Sequence, residues 1–100
     1  MATLTKAHSD RQYAAAQAAV IAGWQASGHA LAQAGAKGFH PFAVMAAAGA
    51  PTVAYPSGDA HAGQWRHIRD GIVAVVEPAT KTIVTVYVNV EETALRPDQL

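Results

Sequence analysis

Two hydrophobic periods divide the chain. In the N-terminal half, Tyr13, Val20, Trp24 and Leu31 recur at spacings of seven, four and seven among alanines and glutamines. That spacing predicts a narrow apolar stripe along one face of a helix. Ser9-Asp10-Arg11-Gln12 has the form of a capping box, so the helix is expected to start at Ser9. Gly23 and Ser27-Gly28 weaken it, and Ser27-Gly28 is the expected break if it divides. Gly35 to Gly38 reads as a linker. His40-Pro41 opens a second helical segment to Ala48, and Gly49-Ala50-Pro51 closes it.

From Thr52 the period changes to two. Thr52–Tyr55 reads as a short strand and Pro56–Gly63 as a loop. Gln64–Arg69, Ile72–Glu77 and Thr82–Asn89 read as longer strands. Asp70-Gly71 is a two-residue type I′ hairpin turn, and Pro78 to Lys81 is a four-residue turn. The expected fold is α+β: alanine-rich helices over residues 9–48, packed on an antiparallel meander of three to four strands over residues 52–90, in one domain of residues 1–100. The tail from Glu91 is acidic and polar and is expected to fray.

Turn lengths fix register, and register fixes which side chains share a face. Uninterrupted pairing from both turns places Ile68, Val73 and Val86 in one row. Arg66, Val75 and Val84 form another on the same face, which Val88 and Val90 extend. This valine-rich face is the one expected to pack on the helix stripe. The opposite face then carries His67-Ala74-Thr85, Arg69-Ile72-Tyr87 and Trp65-Val76-Ile83. Adjacent strands put neighbours about 5 Å apart, so His67 and Thr85 would sit about 10 Å apart across a small alanine.

That grouping has the parts for metal-free cleavage of RNA. Histidine carries protons near neutral pH. Arginine binds two phosphate oxygens, and an aromatic ring stacks on a base. The expected catalytic residues are His67, Arg69, Thr85 and Tyr87, with His8 as a second proton carrier. Arg11, Arg66 and Trp65 are the expected RNA contacts.

Arg69 to Val76, a turn, and Thr82 to Tyr87 resemble the terminal hairpin of small RelE-like toxins, of the barnase–EndoU–colicin–RelE (BECR) ribonuclease superfamily. Thr5 to Arg11 resembles the His-x-x-Arg start of some small members. The likeness covers about 35 residues at the two ends. It implies helices before a sheet, an RNA target such as one presented by a ribosome, and an antitoxin or immunity protein covering the active face. It also suggests a phage or mobile-element origin. Residues 36–63 match no part of the family pattern.

Composition narrows these readings. Seven basic and seven acidic residues cancel, whereas a general RNA binder is basic, so affinity would rest on a local patch such as His61–Arg69. There is no cysteine, which removes disulfides, thiolate zinc and a cysteine nucleophile. No histidine has ligand spacing, so no metal or cofactor is expected. Tyr13 to Ala36 holds no charged residue, but Gln17, Gln25, Ser27, His29 and Gln33 interrupt it, so no membrane span is expected. Asp10 and Arg11 sit deep in the leader with no compact Leu, Val or Ile run after them, so no signal peptide is expected and the location is read as cytoplasmic. The rival function is non-catalytic: a protein-binding module or host-directed inhibitor acting through its sheet face or its alanine-rich helix. Small residues on that helix would also allow a homodimer.

Overall fold

The computed structural model describes residues 6–58 and 62–88, with side chains from Asp10 onward. The fold is α+β. Helices α1 (Lys6–Ile21), α2 (Gly28–Lys37) and α3 (Pro41–Gly49) join strands β1 (Gln25–Ala26), β2 (Val53–Pro56), β3 (Trp65–Arg69), β4 (Ile72–Glu77) and β5 (Thr82–Val88). The five strands form one sheet in the order β1-β5-β4-β3-β2. β2 to β5 make the expected antiparallel meander, and β1 adds a parallel edge beside β5.

Several helix boundaries differ from expectation. The chain is already helical at Lys6, so Ser9 lies inside α1 rather than capping it. Lysine and alanine are good helix formers and carry the helix past the Ser9 signal. At the other end α1 stops at Ile21, because Gly23 takes a positive φ of 102° and Gln25–Ala26 pair with β5. Trp24 and Leu31 therefore do not extend the α1 stripe. Ser27 caps α2 by accepting from the Ala30 amide at 3.0 Å. Gly35 lies within α2, and Gly38, at φ 75°, is its left-handed C-cap. His40 caps α3 by accepting from the Phe42 amide at 3.0 Å through Nδ1, with Pro41 in the first turn.

The first hairpin has the expected register: Arg69 pairs Ile72, Ile68 pairs Val73 and His67 pairs Ala74. Asp70 and Gly71 both take positive φ, as a type I′ turn requires. The second hairpin begins as expected, with Glu77 opposite Thr82, and then slips. Val76 pairs Ile83 but Val75 pairs Thr85, leaving Val84 as the extra residue of a β-bulge. Beyond the bulge Ala74 pairs Val86, Val73 pairs Tyr87 and Ile72 pairs Val88.

One extra residue moves every later side chain on β5 to the other face. The helix-side face carries His67-Ala74-Val86, Arg69-Ile72-Val88 and Trp65-Val76-Ile83. The far face carries Ile68-Val73-Tyr87 and Arg66-Val75-Thr85. Ile72, Ala74, Val76, Ile83 and Val86 form the main core with Ala30, Ala34, Val44, Ala47 and Ala48 of α2 and α3. Ile68, Val73 and Val75 form a second cluster on the far face, with Tyr55, Val84 and Tyr87 packed against it. The face expected to pack on the helices is thus split: Ile68, Val73, Val75 and Val84 lie on the far face, while Val86 and Val88 have moved to the helix side.

The α1 stripe is inverted as well. Ala16 and Ala19 are the buried residues of α1, while Tyr13, Val20 and Ile21 are exposed. Small side chains let α1 and α3 approach closely. A Cβ built on Gly49 would lie 2.5 Å from the Cβ of Ala19. Bulky Tyr13 and Val20 do not fit such a contact and are left outside.

Candidate functional site

The register divides the expected catalytic group in two. His67 and Arg69 face the helices, whereas Thr85 and Tyr87 face away from them. This corrects the expected shared floor, and the bulge at Val84 is its physical cause.

His67 and Arg69 are engaged at the end of α3. The last carbonyls of a helix lack intrahelical partners. A carbonyl only accepts, so His67 Nδ1 carries a proton and donates to the Ala48 carbonyl at 2.8 Å. Arg69 Nη1 donates to the Ala50 carbonyl at 2.8 Å, and its Nε lies 3.6 Å from Asp70 Oδ2. Trp24 packs edge-on against the His67 ring with centroids 5.9 Å apart. Both polar residues thereby tie β3 to the C-terminus of α3, where donors and positive charge oppose the helix dipole.

Arg66, Thr85 and Tyr87 do meet on the far face. The Arg66 guanidinium lies 6.0 Å from the centroid of the Tyr87 ring. Ser57, Gln64, Arg66, Val75, Val84 and Thr85 line a cleft of about 270 Å³. Trp65 is partly exposed on the helix-side face and Arg11 is exposed on α1, neither of them in that cleft. His8 falls on the α1 backbone, with its side chain outside the described residues. His61, Val90 and the tail from Glu91 also lie outside them. Among the described residues no group of three histidines or acids is placed to hold a metal. Nor is any described helix long and apolar enough to cross a membrane.

A second concavity, more apolar than the far-face cleft, is on the helices. Tyr13, Ala16, Gln17, Val20 and Ile21 of α1 and Pro41, Phe42 and Met45 of α3 line a groove of about 350 Å³. That volume is within the range of ligand and peptide sites. The rings of Tyr13 and Phe42 stand 5.0 Å apart. Gln17 Nε2 donates to the Tyr13 hydroxyl at 3.0 Å along α1. A smaller apolar groove of about 210 Å³ lies between α2 and α3 and shares Pro41 and Met45 with the first. Leu31 and Phe39 line it. Together the grooves form an uncharged strip across three helices. Ile21 is 85% exposed and Val20 59%, an unusual degree for adjacent aliphatic side chains in one patch.

Sequence reasoning missed this strip because it assigned the bulky residues of α1 to the core. The available signal was the pair of small-residue steps, Ala16/Ala19 and Ala46/Gly49, each three residues apart on its helix. Compared with protein-family models, with curated proteins and with solved structures, the chain matches none.

Proposed function

We propose that the chain is a cytoplasmic protein-interaction module whose binding surface is the apolar strip over α1, α3 and α2. One observation carries this reading. Tyr13, Val20, Ile21 and Phe42 are exposed together around a groove lined by no charged side chain. Scattered surface hydrophobics are ordinary, but a contiguous patch with a concave centre fits helix-in-groove recognition. The alternative chemistry, RNA cleavage by a toxin of RelE type, loses the shared face on which His67 and Arg69 were to meet Thr85 and Tyr87.

Site-specific photo-crosslinking tests the module. A benzoylphenylalanine at position 42 forms a discrete protein adduct in cells making the chain, and the same group at position 54, on β2, does not. No adduct at position 42, or equal adducts at both positions, rules the strip out as the binding surface.

A second reading keeps RNA as the ligand. It rests on Arg66 beside Tyr87 and on the polar end of the far-face cleft, a pairing suited to one phosphate and one stacked base. It requires that a short single-stranded RNA bind and that Arg66→Ala weaken it. Cleavage would further require new 2′,3′-cyclic phosphate ends on induced expression. RNA affinity indifferent to Arg66→Ala sinks this reading.

A further inference from the structure

We propose that the far-face cleft binds a phosphate group carried by a small organic molecule, with Ser57, Gln64, Arg66 and Thr85 as its contacts. This stands apart from the helix strip and shares its place on the sheet with the RNA reading.

The β-bulge completes the cleft. Ser57 continues the β2–β3 ladder one step past Pro56 and Trp65, its amide donating to the Gln64 carbonyl at 2.9 Å. Side chains alternate along a strand, so Ser57, Gln64 and Arg66 fall on the far face. Thr85 joins them only because Val84 is the extra residue; in an uninterrupted ladder Thr85 would face the helices. Bulges recur beside binding sites because they re-aim a side chain in this way. Polar groups from three neighbouring segments thus converge on one concavity, whose remaining wall is Val75 and Val84.

One atom of that wall points to a ligand. Ser57 Oγ is buried and has no hydrogen-bond partner among the described residues. A buried hydroxyl left unmatched costs stability, and native structures keep few of them. An acceptor oxygen held in the cleft would match it. Arg66 is engaged with its surroundings, its guanidinium standing 6.0 Å from the Tyr87 ring centroid. A guanidinium has five N–H donors, so a ligand oxygen can be added to those contacts.

The lining selects the chemistry. Two hydroxyls, a carboxamide and a guanidinium can all donate, and no acid lines the cleft. Glu77 lies on the same face but outside that lining, and its Oε1 accepts from Thr80 Oγ1 at 3.4 Å. Donors arriving from several directions suit a tetrahedral oxyanion better than a flat carboxylate. The cleft, at about 270 Å³, falls just below the range of drug-sized ligands, so the ester is small, with Val75 and Val84 against its organic part.

The test is isothermal titration calorimetry of the full chain with three probes: uridine monophosphate, uridine, and a hexauridylate without a terminal phosphate. The monophosphate is expected to bind at least tenfold more tightly than uridine. Ser57→Ala and Thr85→Val are each expected to weaken it roughly tenfold, as loss of one hydrogen bond to a charged group does. Ser57→Ala should also raise the melting temperature of the ligand-free protein, because it removes the unmatched hydroxyl, whereas a purely structural serine would lower it. No binding of the monophosphate, equal binding of uridine, or an affinity unmoved by both variants overturns the proposal. A Ser57→Ala protein less stable than wild type overturns the role of that hydroxyl. Hexauridylate binding as tightly as the monophosphate would assign the phosphate to an RNA chain, overturning the small-molecule source and supporting the RNA reading. Monophosphate binding without hexauridylate binding supports the proposal and removes the RNA reading.

Discussion

The Ser27 hydroxyl donates to the Val84 carbonyl at 3.0 Å. Val84 is the bulged residue of β5, and this bond ties it to the residue that also caps α2. Ser27 further donates its own amide to the Ile83 carbonyl at 3.0 Å. One serine thus joins the parallel edge strand, a helix start and the irregularity that decides which face Thr85 and Tyr87 occupy.

Ser27→Ala removes both the cap and the hydroxyl bond to Val84. The expected loss is about 1–3 kcal/mol, the sum of a typical cap and one partly buried hydrogen bond. Urea unfolding followed by circular dichroism reads it. A loss indistinguishable from zero would show that Ser27 does not hold the bulge.

His67 and Arg69 are expected to matter for stability. His67→Phe leaves the Ala48 carbonyl without its side-chain donor, and Arg69→Met does the same at Ala50. Each change is expected to cost about 1–3 kcal/mol. Thermal unfolding measures the cost. Variants as stable as wild type would contradict the tie between β3 and α3.

Gly49 is required by the closeness of α1 rather than by its backbone angles. A Cβ at 2.5 Å from the Cβ of Ala19 forces the helices apart, so Gly49→Ala should destabilise by about 1–3 kcal/mol. Adding Ala19→Gly removes the opposing methyl and should recover part of that loss. A double variant less stable than the sum of the singles would refute the contact.

Much of the fold was legible because its signals are local. Asp70-Gly71 fixed the β3–β4 register through the positive φ that both residues adopt. Pro41 and Gly49 bounded α3. The bulge was not legible, since Val84 differs in no respect from the valines around it and is set by Ser27, 57 positions away. The slip from Val84 onward then reversed the assignment of Thr85 and Tyr87. The α1 orientation was hidden for a related reason. Bulk suggested that Tyr13 and Val20 were core, but a close helix crossing selects small residues, and Ala16 and Ala19 took that place.

The separation of His67 from Thr85 is what counts against the RNA-cleavage reading, and paired cysteines test it without interference, because the chain has none of its own. Val75 and Thr85 are direct cross-strand partners on the far face. With both changed to cysteine, mild oxidation should form an intramolecular disulfide, because directly opposed Cβ atoms fall near the required separation. The Ala74→Cys, Thr85→Cys pair should keep two free thiols, its side chains pointing to opposite faces. Ready crosslinking of 74 with 85, and none of 75 with 85, would place Thr85 beside His67 and return the polar group to a single face.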